Sequence, residues 1–113
     1  AIGGRMLNNR SICEGLLAYN RNDKSGAEHI FERLVTAPKL VRMEPYFYLA
    51  VIHIQESIQT ESSENILRAV QLLTEGLQIS ELSNLYYYRA LVYLFLSMNT
   101  EALEDIDKAI EKS

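Results

Sequence analysis

Few side chains in this chain could carry chemistry. Cys13 beside Glu14 could act as a thiol nucleophile with His29 or His53 as its base. The histidines lie far from the thiol in sequence, and a lone cysteine in a helical stretch is usually a small half-buried packing residue. One cysteine and two separated histidines give no zinc-ligand spacing. Isolated glycines form no phosphate-cradling loop. Glu104, Asp105 and Asp107 are close in sequence, but Asp105 and Asp107 point to different sides of a helix and read as solubilising charge. The expectation is a protein that is not an enzyme and holds no cofactor or metal.

The charge balance narrows the partners. Net charge is −4, with seven Lys/Arg against six Asp/Glu in residues 1–59 and four against nine in residues 60–113. Nucleic-acid binding needs clustered cations, so a polyanion is not expected. No apolar run approaches the roughly 18 residues that a membrane span requires. A single cysteine and no visible secretory signal point to a reducing, cytoplasmic setting. Residues 1–7 read as a disordered or appended lead, and the whole as one domain, 8–113, cut from a longer protein.

Breaks and caps outline six helices. The first is expected over 9–21, ending at the turn pair Asn22-Asp23. Ser25 with Glu28 three residues later has capping-box spacing and opens the second, which stops near Ala37-Pro38. Pro45 suits the start of a third, running to about Gln59. A polar loop over 60–63 with a serine cap leads to a fourth over 64–79. Ser83 is the expected cap of the fifth, to Met98, and Thr100 that of the sixth, 101–112. Glu104 and Lys108 form an i,i+4 pair on the sixth.

Apolar and small residues then repeat in pairs of helices. Tyr86, Ala90 and Tyr93 share one face, and Ala102, Ile106 and Ala109 share another, with a short polar turn between. This resembles a tetratricopeptide repeat, a helix-turn-helix unit of about 34 residues. Tyr86 stands for the family's usual tryptophan and Arg89 for its leucine. Gly15, Ala27, Phe31 and Leu34 repeat the spacing upstream, with Pro38 near the family's closing proline. A middle copy has Ala50, Ala69, Leu73 and Gly76, with seven residues inserted within 55–65. Serine and threonine among acidic residues there would suit phosphorylation at a helix start, though a longer loop is the plainer expectation. The repeats fall at about 8–41, 43–81 and 83–113.

The resemblance implies an all-α, right-handed α-solenoid of three antiparallel helical hairpins, six helices in all, acting as a protein-interaction scaffold. It further implies that the first helix of each pair lines a concave groove. The groove residues would be Ile12, Leu16 and Tyr19, then Phe47, Tyr48, Val51 and Ile54, then Tyr87, Tyr88, Leu91, Leu94 and Phe95. Such an apolar, aromatic surface calls for an occupant: an amphipathic helix or apolar peptide of a partner, or a second copy of the chain. Some family members clamp acidic chaperone tails with basic residues on these helices. The matching positions hold Ile12, Leu16, Val51, Asn84 and Tyr88, so chaperone-tail binding is not expected.

Overall fold

The computed structural model describes residues 2–37, 42–61 and 63–113. Six α-helices follow one another: α1 (Ile2–Asn20), α2 (Lys24–Val35), α3 (Glu44–Thr60), α4 (Ser63–Ile79), α5 (Ser83–Phe95) and α6 (Asn99–Lys112). There is no strand among the described residues. The closest packing is within α1/α2, α3/α4 and α5/α6, and α2 packs on α3 as α4 packs on α5. Each helix thus rests mainly on its neighbours in the chain.

Small residues at matching places let each pair close. Ala27, Ala50, Ala69 and Ala90 are fully buried and Ala102 nearly so. In the first hairpin the approach is tightest: a Cβ on Gly15 would lie 2.6 Å from Cε1 of the fully buried Phe31. In the second, a Cβ on Gly76 would stand 3.3 Å from Cβ of Tyr46 and 3.5 Å from Cδ2 of Leu85.

The hairpin turns share one device. α1 and α5 each end on a left-handed residue, Asn22 (φ 66°) and Ser97 (φ 61°). The next amide then reaches back five residues, Asp23 N–H to Ala18 O at 2.9 Å and Met98 N–H to Tyr93 O at 2.8 Å. The counterpart of Ser97 in the middle hairpin is Ser57, which stays helical and buried, with its hydroxyl donating to Ile54 O at 2.6 Å. There the left-handed residue is Glu61 (φ 55°), one turn later.

That shift corrects the expected long loop. α3 has 17 residues against 13 in α5. α4 has 17 against 14 in α6. The seven inserted residues therefore lengthen α3 by four and α4 by three, and helical hydrogen bonding continues through most of the stretch read as loop. Ser62 lies outside the described residues, as does Pro38.

Several caps also differ. α2 is capped by Asp23, whose carboxylate accepts from Gly26 N–H at 3.0 Å, rather than by Ser25. Ser83 does not cap α5; its hydroxyl donates to Ala109 O at 3.0 Å and ties the start of α5 to the end of α6. α6 starts at Asn99 with no side-chain cap, so Thr100 lies inside the helix. Lys108 pairs with Glu111 at 3.9 Å rather than with Glu104. The helix α1 takes in residues 2–7, read from the sequence as a disordered or appended lead; no proline interrupts it, and Met6 and Leu7 stay exposed.

The glycines make a paired test. Gly15→Ala should lower the urea midpoint, because overpacking against Phe31 costs about 1–3 kcal/mol and outweighs the helix-propensity gain of up to ~1 kcal/mol. Gly76→Ala should leave the midpoint unchanged or raise it, since its neighbours need give only a few tenths of an ångström.

Candidate functional site

The first helix of each hairpin contributes to a continuous row of aromatic rings. Tyr19 of α1 meets Tyr48 of α3 edge-on, with ring centroids 5.4 Å apart. Tyr48 meets Phe47 at 5.2 Å, Phe47 meets Tyr88 of α5 at 5.2 Å, and Tyr88 meets Tyr87 at 5.9 Å. All three inter-plane angles along that second stretch exceed 80°, the edge-to-face geometry that aromatic quadrupoles favour. Tyr48 also stacks on Phe31 at 6.0 Å, which roots the row in the core. Gln55 Nε2 donates to the Tyr19 hydroxyl at 3.4 Å and steadies one end. Near α1, Arg42 bonds Glu44 and reaches Asn9 Oδ1 at 2.6 Å, joining α1 to the start of α3. That guanidinium holds the Glu44 carboxyl below its ordinary range.

The twelve residues assigned to the groove divide into three sets. Leu16, Tyr19, Phe47, Tyr48, Ile54 and Tyr88 are half-buried and packed against the core along this row. Ile12 and Val51 are closed off, at 3% and 9% exposure. They belong to the packing beneath the surface, a correction to their reading as groove contacts. Tyr87, Leu91, Leu94 and Phe95 are exposed, Phe95 at 66%. A single side-chain orientation was read for all three first helices, but whether another helix covers them differs from hairpin to hairpin.

The residues that could carry catalysis are not brought together as a reactive set. Cys13 is exposed, not half-buried in a helix interface, since α1 is the outermost helix and turns that side to solvent. His29 is exposed. His53 bonds the side-chain oxygen of Asn65 through Nδ1 at 2.7 Å and lies 4.0 Å from Glu56. Among the described residues no group of three His, Cys, Asp or Glu side chains could hold a metal ion. Among them also, no helix is long and apolar enough to cross a membrane.

A partly buried ion pair joins α5 to α6. Asp105, expected to be solubilising, is buried and accepts two bonds from Arg89, from Nε at 2.7 Å and Nη2 at 2.9 Å. The guanidinium also donates to Thr74 Oγ1 at 3.2 Å and lies over the Tyr86 and Tyr93 rings at 5.9 and 5.7 Å. Its bonds to Asp105 push the Arg89 pKa upward. The signal was in the repeats: the counterparts of Arg89 and Asp105 in the middle hairpin are Leu49 and Leu72, both fully buried. Opposite charges thus stand where the middle hairpin has two core leucines.

No family model matches the chain, and no curated protein matches it either.

Two measurements follow from these electrostatics. Arg89→Leu should destabilise by roughly 3–5 kcal/mol, because Asp105 is left buried and unpaired, whereas Arg89→Leu with Asp105→Leu should return to wild-type stability or better in urea unfolding. Glu28 behaves in the opposite sense to Glu44: burial first, then the neighbouring Glu56 carboxylate, raise its pKa above the ordinary 4.5. A carboxyl raised in the folded state costs stability once ionised, and that cost vanishes below the unfolded value. Glu28→Gln should therefore raise the melting temperature at neutral pH, with the gain disappearing below about pH 4.5.

Proposed function

We propose that this chain is a protein-interaction scaffold, built as a right-handed solenoid of three tetratricopeptide-like hairpins, that binds an apolar or amphipathic helix of a partner protein along its aromatic row. The observation that carries this reading is the unbroken ring-to-ring contact from Tyr19 through Tyr48, Phe47 and Tyr88 to Tyr87. Half-buried rings are held rigidly by one another and by Phe31, so they lose little conformational freedom on binding. Tyrosine adds hydroxyls that can bond a ligand backbone at the rim, which is why it is enriched at protein interfaces. Few charges interrupt the row, and that favours an apolar ligand face over an acidic tail.

Self-association is the second reading, favoured by the exposed Tyr87, Leu91, Leu94 and Phe95 on α5. Light scattering over a dilution series separates the two, since a dimer that buries the row would compete with peptide.

Peptides selected on the immobilised protein from a random library should carry apolar residues at helical spacing. Tyr88→Glu should raise their Kd at least tenfold, about 1.4 kcal/mol, while far-UV helicity and melting temperature stay near wild type. Unfolding of that variant, or unchanged affinity, would remove the row as a binding surface.

A further inference from the structure

The joint between the first two hairpins carries ionisable groups where the joint between the last two is apolar. Register places Glu28, His53 and Glu56 of the first joint where the second has Val70, Tyr93 and Leu96. Val70 and Leu96 pack against the apolar core. In the first joint Glu28 of α2 instead meets Glu56 of α3 carboxyl to carboxyl, within hydrogen-bonding reach. Two ionised carboxylates only accept hydrogen bonds, so this contact requires a proton between them. His53 stands beside the pair, with Nδ1 4.0 Å from a Glu56 oxygen and 2.7 Å from Asn65 Oδ1 of α4. Its Nε2 is buried and has no hydrogen-bond partner among the described residues.

We propose that this joint is a proton-operated hinge: a proton shared by Glu28 and Glu56 closes α2 onto α3, and its release as pH rises loosens the first hairpin from the second. The surrounding charges offer the pair little relief. Glu28 feels Glu56 and His53 from α3 and Glu32 from its own helix. From α4 comes Arg68, whose guanidinium is already bound to Glu32 at 2.9 Å. On α1, Arg10 and Glu14 pair with each other at 3.9 Å, and Arg21 is exposed. Burial first, then the bond to Glu56, raises the Glu28 carboxyl above the ordinary 4.5, while His53 pulls it down. A carboxyl raised in the closed form takes up its proton on closing. The closed joint is therefore firm in acid. It weakens as pH rises above about 4.5, and the full penalty is present once pH exceeds the raised value.

The consequence reaches the aromatic row. Tyr19 of α1 belongs to the first hairpin and meets Tyr48 of α3 across this same joint, edge-on at 5.4 Å. Loosening the joint parts those rings. Phe47 and Tyr88 meet across the second joint, where Val70 and Leu96 have no proton to lose, and their contact is kept. His53 sets the pH of the change: an imidazolium 4.0 Å from Glu56 favours the ionised pair and so opposes the shared proton. The hinge itself does not depend on what the row binds; only its effect on affinity rests on the function proposed above.

Nitroxide labels on Arg33→Cys of α2 and Glu104→Cys of α6, both exposed positions, read the hinge in the whole chain carrying Cys13→Ser. Double electron–electron resonance should show one distance population at about pH 5 and a longer one growing in towards about pH 8. Glu56→Gln, whose amide can donate to an ionised Glu28, should hold the short population at both pH values. His53→Gln should move the change to higher pH, and an unmoved change would remove His53 from the hinge. The proposal is overturned if the wild-type distance is the same at both pH values. A pH response that survives Glu56→Gln also overturns it, by assigning the response to another group, as does a parallel loss of far-UV helicity, which would mark unfolding. Peptides selected on the row should bind several-fold more weakly at the higher pH in wild type and equally at both in Glu56→Gln. A distance change without that loss of affinity would keep the hinge and remove the row as the binding surface.

Discussion

The closeness of helices within each hairpin is the constraint on which the rest depends. Gly15 against Phe31, and the buried alanines at 27, 50, 69, 90 and 102, bring backbones together where a larger side chain would hold them apart. Interiors pack at crystal-like density, so this spacing sets how far every other side chain must reach. Phe31, Leu73 and Ile106 occupy the same place in their hairpins; the first two are wholly covered and Ile106 is half-buried. The aromatic row inherits its regularity from the same constraint. The two contacts that cross between helices, Tyr19 to Tyr48 and Phe47 to Tyr88, have ring centroids 5.4 and 5.2 Å apart, and the links between them are pairs of adjacent residues on one helix.

Departures from the repeat are informative in proportion to how well they are compensated. Arg89 and Asp105 place full charges where the middle hairpin has two leucines, and the pair is held by a two-pronged bond, Thr74 and two tyrosine faces. Removing charge from water is costly, so the arrangement works only because each member satisfies the other. The seven-residue insertion is a departure of another kind. Splitting it between the end of α3 and the start of α4 keeps backbone groups hydrogen-bonded within helices and leaves the contacts below Ser57 undisturbed.

The apolar surface is not one feature but two. The row from Tyr19 to Tyr88 is half-buried and mutually supported. Tyr87 and Ile110 are exposed, whereas of their counterparts in the other hairpins Ile12 and Leu77 are buried and Phe47 and Val35 half-buried. Exposure alone would have merged them. Repeat register separates them, because it supplies for each position two internal examples of what the environment becomes when a neighbour is present.

Much of this was legible from residue order alone. Helical periodicity, the prolines and the twelve-residue spacing of small residues set out six helices in three pairs, since these signals act over one or two turns of chain and need no distant partner. The local signals misled where several polar residues competed to end a helix: Asp23 prevailed over Ser25, and Ser83 turned to the Ala109 carbonyl instead of its own backbone. Only the tertiary structure decided which apolar positions are covered. Ile12 and Tyr87 hold the same place in the repeat, yet one is sealed and the other open. Burial depends on what lies across the interface, and that is a property of the assembled helices rather than of any stretch of sequence.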